Sequence, residues 1–310
     1  MKTVSVINIK GGVGKTTLTA NLGAYAASQG KRVLMIDLDS QASLTFSFIE
    51  PEYWRVKYAG TMTIKNFFDP IINRAEKRQS LSSLAIPINF GNMFIAGNET
   101  LHLVSSHLDI MNIDMRLART VDVSEDNIHA STFLNAHSHI RRALNDEAGN
   151  YDLVLIDCPP SFGASVMNAI AASDYYIIPA KLDYLSSLGV SSLENYISVF
   201  IKKYNRMTGV LNEPMYTNIN AGTLGIVPMM VNIQKGDEMI DAQEGYLREF
   251  SGKGYHIFQF VRNNGTLFGP SPKEGIPAVL TRPKFFTPTA RKIVRELQAL
   301  GAEFLSLTEI

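Results

Sequence analysis

The sequence predicts an α/β protein, with a doubly wound, mostly parallel β-sheet that is covered by helices on both faces. Apolar segments of strand length alternate with helical patterns along the 310 residues, as in folds built from strand–helix–strand units. The first strand runs directly into a glycine-rich turn and a helix. Two others, 33–36 and 153–156, are each followed by an aspartate, which suits buried parallel strands whose carboxyl ends face a ligand.

Length and composition are those of a globular protein with a large core, since 45% of the residues are hydrophobic and 19% are charged. No linker or repeat divides the chain, so we predict a single domain over residues 1–310 with an elaboration around 46–92. The formal net charge is zero, so binding to nucleic acid requires a local basic patch. With one cysteine, no apolar run of transmembrane length and no room for a signal peptide before residue 10, we expect a cytoplasmic protein.

A nucleoside triphosphate site is predicted by the glycine-rich turn between the first strand, 4–9, and a helix that stops at Gly30. A strand, such a turn and a helix start bind phosphate through backbone N–H groups and the positive end of the helix dipole. Lys15 is placed to reach the β- and γ-phosphates, and the Thr16 hydroxyl to ligate Mg²⁺. The predicted nucleotide-binding residues of this turn are Lys10, Gly11, Gly12, Val13, Gly14, Lys15, Thr16 and Thr17.

The turn departs from the general P-loop pattern in two ways. Ile9 stands where that pattern has its first glycine, and a second lysine, Lys10, stands at the entrance. The sequence therefore resembles the deviant Walker A motif of the ParA/MinD family of P-loop ATPases. The resemblance implies ATP and Mg²⁺ as cofactors and a homodimer formed across the nucleotide sites, with Lys10 reaching the partner subunit's nucleotide. The plainer alternative for Lys10 is a solvated loop lysine.

The second strand ends in Asp37-Leu38-Asp39-Ser40-Gln41, which resembles the second signature of the same family. The resemblance implies that Asp39 positions or polarises the attacking water, so that the catalytic residues are Lys10, Lys15 and Asp39. It also implies that Asp37 supports the Mg²⁺ and P-loop network. The alternative is a pair of solvated loop acids.

Residues 46–144 carry weaker signals. Residues 46–54 read as a segment that ends in a turn, and 63–68 as the start of a helix. We predict a strand at 93–96, a helix within 101–117 and a further helix over 133–144. The lengthened region 46–92 either carries partner specificity or is a plain surface elaboration.

The segment 153–156 followed by Asp157 matches a Walker B strand, and we expect Asp157 to hold Mg²⁺ through a water molecule. The predicted metal site thus consists of Thr16, Asp37 and Asp157. A strand at 175–180, a helix over 187–204 and a strand at 224–231 follow. Asn232 ends the last of these. In related P-loop dimer ATPases an asparagine here recognises adenine, while a turn-capping asparagine is an equal alternative.

The C-terminal part predicts a strand at 256–261 and a long final helix with Thr287 as its N-cap and Pro288 in its first turn. Basic residues occur in this part and in the helix over 187–204, and phosphate contacts of such residues give affinity without sequence preference. Ordinary solvated helix faces are the alternative. The candidate DNA-binding residues are Arg262, Arg282, Lys284, Arg291, Lys292, Lys202 and Lys203, with Arg206 and Arg295 beside them.

The resemblance implies a slow ATPase stimulated by a ParB-like adaptor, in which the ATP-bound dimer binds non-specific DNA and hydrolysis releases it. This is the behaviour of a plasmid or chromosome partition switch, associated with the nucleoid. A positioner of protein cargo, such as carboxysomes or chemoreceptor clusters, is the nearest alternative. A MinD-like membrane positioner is disfavoured because the C-terminal stretch 302–310 is acidic where it should be basic. An iron–sulfur reductase lacks cluster cysteines, whereas a ligase with a phosphorylated intermediate stays open.

Overall fold

The computed structural model describes residues 1–73, 79–89, 100–119, 127–234, 238–265, 267–268, 277–281 and 287–310. Its strands are β1 (Lys2–Val6), β2 (Val33–Asp37), β3 (Ile86–Pro87), β4 (Leu101–Val104), β5 (Leu153–Asp157), β6 (Tyr175–Ala180), β7 (Gly222–Val231) and β8 (Val261–Arg262). Its α-helices are α1 (Lys15–Ser28), α2 (Ser43–Phe48), α3 (Pro51–Lys57), α4 (Ile64–Ile72), α5 (Ile110–Arg119), α6 (Asn127–His137), α7 (His139–Asp146), α8 (Ala164–Ala172), α9 (Tyr184–Leu211), α10 (Asp241–Gly252) and α11 (Pro288–Thr308).

The eight strands form one sheet in the order β3-β4-β2-β5-β1-β6-β7-β8. The short edge strand β3 is antiparallel to β4, whereas the other neighbouring strands run parallel. Asp157 at the end of β5 is in register with Asp37 on β2 and with Val6 on β1. The ends of three central strands therefore meet at one edge, where β1 leads into the glycine-rich turn. The predicted fold class is confirmed.

Hydrophobic cores lie on both faces of the sheet, because alternate residues of each strand point to opposite sides. Leu34 and Ile36 of β2 join one core, and Val33 and Met35 join the other. Helices α4 to α9 contribute to the first core, whereas α1 and α11 pack together on the second. The apolar face of α11 predicted from the sequence is buried there: Ile293, Leu297, Leu300 and Phe304.

The final helix begins where the sequence predicts. The hydroxyl of Thr287 accepts a hydrogen bond from the amide of Ala290 at 3.2 Å, and Pro288 occupies the first turn. Helix α9 is longer than its predicted span of 187–204. It starts after Asp183, whose carboxylate accepts a hydrogen bond from the amide of Ser186 at 2.8 Å and so caps the helix.

The prediction of a turn ending the segment 46–54 is wrong, because two short helices, α2 and α3, occupy this region. The side chain of Glu50 caps α3 by accepting hydrogen bonds from the amides of Glu52 and Tyr53. Trp54 is buried, and its ring nitrogen donates to the hydroxyl of Ser105 at 3.1 Å. The elaboration is therefore fastened to the end of β4.

Two further boundaries differ from the sequence prediction. Residues 101–104 form strand β4, and the helix that follows begins only at Ile110; the strand predicted at 93–96 lies outside the described residues. The helix predicted over 133–144 is divided into α6 and α7 at Ser138. The hydroxyl of Ser138 bonds the carbonyl of Leu134 and the phenol of Tyr204, which replaces a continuous helical ladder with a turn.

The strand predicted at 256–261 is reduced to a single bridge between Ile226 and Ile257 and to the two residues of β8. The backbone carbonyl of His256 lies so close to Gly225 that a side chain at that glycine would collide with it. Regular pairing with β7 is thus interrupted at the sheet edge.

Candidate nucleotide-binding site

The turn between β1 and α1 has the backbone shape that a phosphate loop requires. Gly12 and Gly14 have φ angles of 65° and 93°, in the left-handed region that favours glycine. A Cβ on Gly14 would also lie 2.8 Å from the terminal methyl of Met229 on β7. No side chain caps the start of α1 and its first turn contains no acidic residue. No side chain therefore competes with a phosphate for the N–H groups at the start of this helix.

Lys15 lies across the base of this turn and is only 7% exposed. Its ammonium group donates to the carbonyls of Asn8 at 3.0 Å and Lys10 at 3.2 Å. Burial lowers the pKa of Lys15, while the carboxylates of Asp157 and Asp39 raise it. The net effect is a lowered pKa for Lys15, so burial disfavours the charged ammonium and a bound phosphate would stabilise it in place of the lost hydration.

Asp157 is fully buried and contacts the first turn of α1. Its two carboxylate oxygens accept hydrogen bonds from the hydroxyls of Thr16 at 2.8 Å and Thr19 at 3.2 Å. Burial, together with the nearby Asp37, raises the pKa of Asp157 to about 8. A carboxylate in this environment is stabilised by a cation, and the oxygens of Thr16 and Asp157 are the hard ligands that Mg²⁺ prefers. The residues fit the predicted metal.

Asp37 is also fully buried, and its carboxylate is occupied by its own chain. One oxygen accepts from the amide and hydroxyl of Thr45 at 2.8 and 2.7 Å, and the other accepts from the amide of Asp39 at 3.1 Å. Burial raises the pKa of Asp37 to about 7. These bonds make Asp37 the support of the segment 38–45, and its place in the metal site with Thr16 and Asp157 stays a prediction.

Asp39 is held by that support and is half-exposed at the same edge of the sheet. Its carboxylate accepts a hydrogen bond from the amide of Gln41 at 2.9 Å, and its carbonyl accepts one from the hydroxyl of Ser106 at 2.6 Å. Asp39 is near enough to raise the pKa of Lys15. A carboxylate so placed is able to orient a water beside a bound phosphate.

Lys10 is not a solvated loop lysine. Its ammonium group donates to both carboxylate oxygens of Asp183, at 2.8 and 2.9 Å, and to the hydroxyl of Ser186 at 3.0 Å. Asp183 and Ser186 were not predicted as site residues. The available sequence signal was an aspartate between a strand and a helix, which marks an N-cap and does not reveal a lysine partner 173 positions away.

Asn8 is a second residue that sequence reasoning missed. Its amide group donates to the carbonyl of Pro179 at 2.8 Å and its side-chain oxygen accepts from the amide of Lys10 at 2.9 Å. Asn8 therefore ties the turn to the end of β6.

Asn232, the candidate adenine contact, is exposed after β7, and its backbone amide donates to the side-chain oxygen of Gln243 at 3.0 Å. Its contact with a base stays a prediction.

The candidate DNA-binding residues have different surroundings. Arg262 forms an ion pair with Glu296, and both side chains are largely buried, at 13% and 10% exposure. Through this ion pair, Arg262 links β8 to α11. Lys202 and Lys203 are exposed on α9, and Arg291 and Lys292 are exposed on α11. Arg282 and Lys284 lie outside the described residues.

The described part of the chain gives no support for a metal centre built from a cluster of His, Cys, Asp and Glu side chains, for a reactive thiol or for a membrane-spanning helix. It contains no group of three or more His, Cys, Asp and Glu side chains that could hold a metal. Burial raises the pKa of the Cys158 thiol well above its usual value, so this cysteine is an unreactive packing residue. None of the described helices combines the length and apolarity needed to cross a bilayer.

Comparison with known proteins places this chain in a family. A profile of the family described as AAA domain matches residues 1–209, two thirds of the chain. The chain belongs to this family. Within it, this is a ParA/Soj-type P-loop ATPase. It is 26% identical to the sporulation initiation inhibitor protein Soj of Bacillus subtilis, over 91% of this chain and 92% of that protein. It is 29% identical to the chromosome partitioning protein ParA of Myxococcus xanthus, over 89% and 80%.

Solved structures share the fold of this ParA/Soj-type chain. McdA of Cyanothece in its apo form has a TM-score of 0.68 at 20% identity, covering 98% of this chain and 99% of that one. Cobyrinic acid a,c-diamide synthase from Mycobacterium smegmatis, solved with an ATP analog and magnesium, has a TM-score of 0.62 at 22% identity, covering 89% and 91%. At such identities the likeness establishes the fold alone.

Proposed function

We propose that this chain is an ATP-driven dimerising switch of the partition type, which binds DNA without sequence preference as an ATP-bound dimer. The single observation that carries the proposal is the position of Lys10. The ammonium nitrogen of Lys10 lies 2.8 Å from Oδ1 of Asp183, the cap of α9, beside the phosphate turn. Lys15 already supplies the charge for the chain's own nucleotide, so Lys10 is a second cation at this edge. A second copy is the partner that such a lysine would serve.

The residues at the sheet edge have separate tasks in hydrolysis of ATP. The N–H groups at the start of α1 and the ammonium of Lys15 hold the phosphates. Thr16 and Asp157 would hold Mg²⁺, which when bound neutralises charge on the phosphates. Asp39 orients the attacking water, and Asp37 holds the segment that carries Asp39.

An exposed apolar patch beside Lys10 supports dimerisation. The first turns of α9 expose Tyr184, Leu185 and Leu188 to 62%, 66% and 50%, directly after Asp183. We call these three residues the α9 patch. Exposed apolar clusters of this kind mark surfaces for association, and this one adjoins the phosphate turn. Closing two copies over this surface would bring each Lys10 towards the other nucleotide and make hydrolysis a timer for release.

The DNA surface of the proposed switch is the C-terminal half of α9. Lys202, Lys203 and Arg206 are exposed there, and the exposed positions of α9 include no acidic residue. A dimer would double the number of cations that contact phosphates, and affinity rises steeply with that number. A ParB-like adaptor would stimulate hydrolysis and so release the DNA. The same chemistry serves a positioner of protein cargo, which is the second candidate.

A ligase function and a lipid-bound function are less well supported. The likeness to the M. smegmatis synthase is one of fold, and it leaves a ligase open. The apolar face of α11 is buried against α1, so lipid would not reach it without unpacking the helix.

Retention of DNA tests the proposal. The protein should retain fragments of unrelated sequence only with ATP and Mg²⁺, and retention should fall steeply as salt rises. The double variant Lys202→Glu and Lys203→Glu should lose retention at least about tenfold while nucleotide affinity stays unchanged. Arg55→Glu with Lys57→Glu on α3 is the matched control for charge. Equal retention by both double variants, or retention without nucleotide, would contradict the proposal.

A further inference from the structure

We propose that Asp183 and Ser186 hold Lys10 within its own chain and thereby set the concentration at which ATP-bound protomers pair. The inference rests on the proposed function, because it concerns the lysine that would serve the partner's nucleotide. It adds a regulatory element that acts before hydrolysis: a contact that each protomer must break in order to dimerise.

The contact occupies every donor that Lys10 has. A lysine ammonium carries three N–H donors, and here they go to the two carboxylate oxygens of Asp183 and to the hydroxyl of Ser186. A phosphate oxygen on a neighbouring molecule therefore has no donor to bind until these bonds are broken. To bind the partner's nucleotide, Lys10 must exchange its acceptors on Asp183 and Ser186 for phosphate oxygens. The dimerisation equilibrium therefore depends on the strength of the contact within the chain.

The acceptors are themselves fixed. Oδ1 of Asp183, one of the two oxygens that bind Lys10, also caps α9 by accepting a hydrogen bond from the backbone amide of Ser186 at 2.8 Å. The carboxylate therefore cannot follow the lysine outward without uncapping a helix of 28 residues. Burial raises the pKa of Asp183, but the hydrogen bonds from Lys10 and Ser186 outweigh it and leave the pKa lowered. The carboxylate is thus ionised at neutral pH.

The strength of the contact is limited by solvent. The side chains of Lys10 and Asp183 are 26% and 44% exposed. Pairs at such exposure change an equilibrium by roughly 1.5- to 5-fold, so two contacts per dimer change the dimer dissociation constant by about 2- to 25-fold. An effect of this size would raise the protein concentration needed for dimerisation, but ATP-bound protein at a sufficient concentration would still dimerise.

The test compares Asp183→Asn with its parent in a background where turnover is stopped by Asp39→Ala. Asparagine caps a helix as well as aspartate, so α9 keeps its start while the charge that holds Lys10 is lost. With saturating ATP and Mg²⁺, sedimentation over a dilution series should give a dimer dissociation constant about 2- to 25-fold lower than that of the parent. Ser186→Ala should shift it in the same direction by less, since it removes a neutral acceptor.

Two controls separate this contact from general effects. Glu50→Gln removes a charge from another helix cap, that of α3, and should leave dimerisation unchanged. Affinity of the monomer for a fluorescent ADP should stay within about twofold in Asp183→Asn, because Lys10 does not serve the chain's own nucleotide. A dimer of Asp183→Asn that is equal to or weaker than the parent's overturns the inference. A parent that fails to dimerise with ATP overturns the proposed function instead.

Discussion

The carboxylates of Asp37 and Asp157 illustrate, at the scale of single residues, how a site works against stability. Both are fully buried on neighbouring strands, and burial raises their pKa values to about 7 and about 8. In the folded chain they hold protons that the unfolded chain releases near pH 4. Between about pH 4 and pH 8 the folded state therefore binds more protons, and stability falls as pH rises.

Asp157→Asn should reduce this dependence on pH. In wild-type protein without metal, the free energy of unfolding should be lower at pH 8 than at pH 5, and the variant should show at least about 1 kcal/mol less difference, since one pKa unit corresponds to about 1.4 kcal/mol. Urea unfolding in the presence of a chelator at both pH values measures it. In Asp152→Asn the difference should stay as in wild type, because the Arg32 side chain holds the pKa of Asp152 at about 2, below this range. An unchanged difference in Asp157→Asn would refute the argument.

The sequence alone predicts a role for those residues that lie within a recognisable local motif. Gly14, Lys15 and Thr16 lie within one turn, and Asp157 follows a strand, so their roles follow from local pattern. Asp183 was missed because its link to Lys10 joins positions 173 apart and exists only after β1 and β6 pair. The ion pair of Arg262, a candidate DNA contact, with Glu296 likewise depends on packing between residues 34 positions apart.

At the scale of elements, α9 combines three surfaces in one helix. Its cap holds Lys10, its first turns expose the α9 patch, and its last turns expose Lys202 and Lys203. A rigid helix of 28 residues spans about 42 Å at 1.5 Å per residue, so one element connects the nucleotide edge with the proposed DNA surface.

Charge placed in the α9 patch should prevent pairing. Leu185→Asp with Leu188→Asp should weaken the ATP-bound dimer at least about tenfold, because closing the interface would bury two unpaired charges in each protomer. Sedimentation measures the dimer, and fluorescent ADP confirms that each protomer still binds nucleotide. Val199→Asp with Val210→Asp, at exposed positions farther along α9, is the matched control. Dimers of normal affinity in the first variant would place the interface elsewhere.

The buried central strands and the start of α11 are elements that the sequence predicts well, whereas it misses the interrupted edge strand over 256–261 and the breaks within helices. Thr287 followed by Pro288 predicts the start of α11 because both signals act locally. The break at Ser138 depends on the phenol of Tyr204, 66 positions away. Likewise α3 is stabilised by the contact between Trp54 and Ser105, which no local pattern contains.

At the scale of the whole molecule, the formal net charge of zero limits what one protomer can do. A neutral chain has no long-range attraction for DNA, so binding must come from concentrated local charge. Pairing two copies is the simplest way to double that charge and to make it depend on ATP. In the proposed function, the timing by ATP hydrolysis, the contact with DNA and the release of DNA therefore all depend on dimerisation.

The most direct measurement is the mass in solution of the Asp39→Ala protein with ATP and Mg²⁺, by light scattering after gel filtration. We expect 68.6 kDa, twice the 34.3 kDa of one chain, and a return to 34.3 kDa with ADP. Lys10→Ala in the same background should remain at 34.3 kDa with ATP while still binding it. A mass of one chain for Asp39→Ala at saturating ATP would contradict the account.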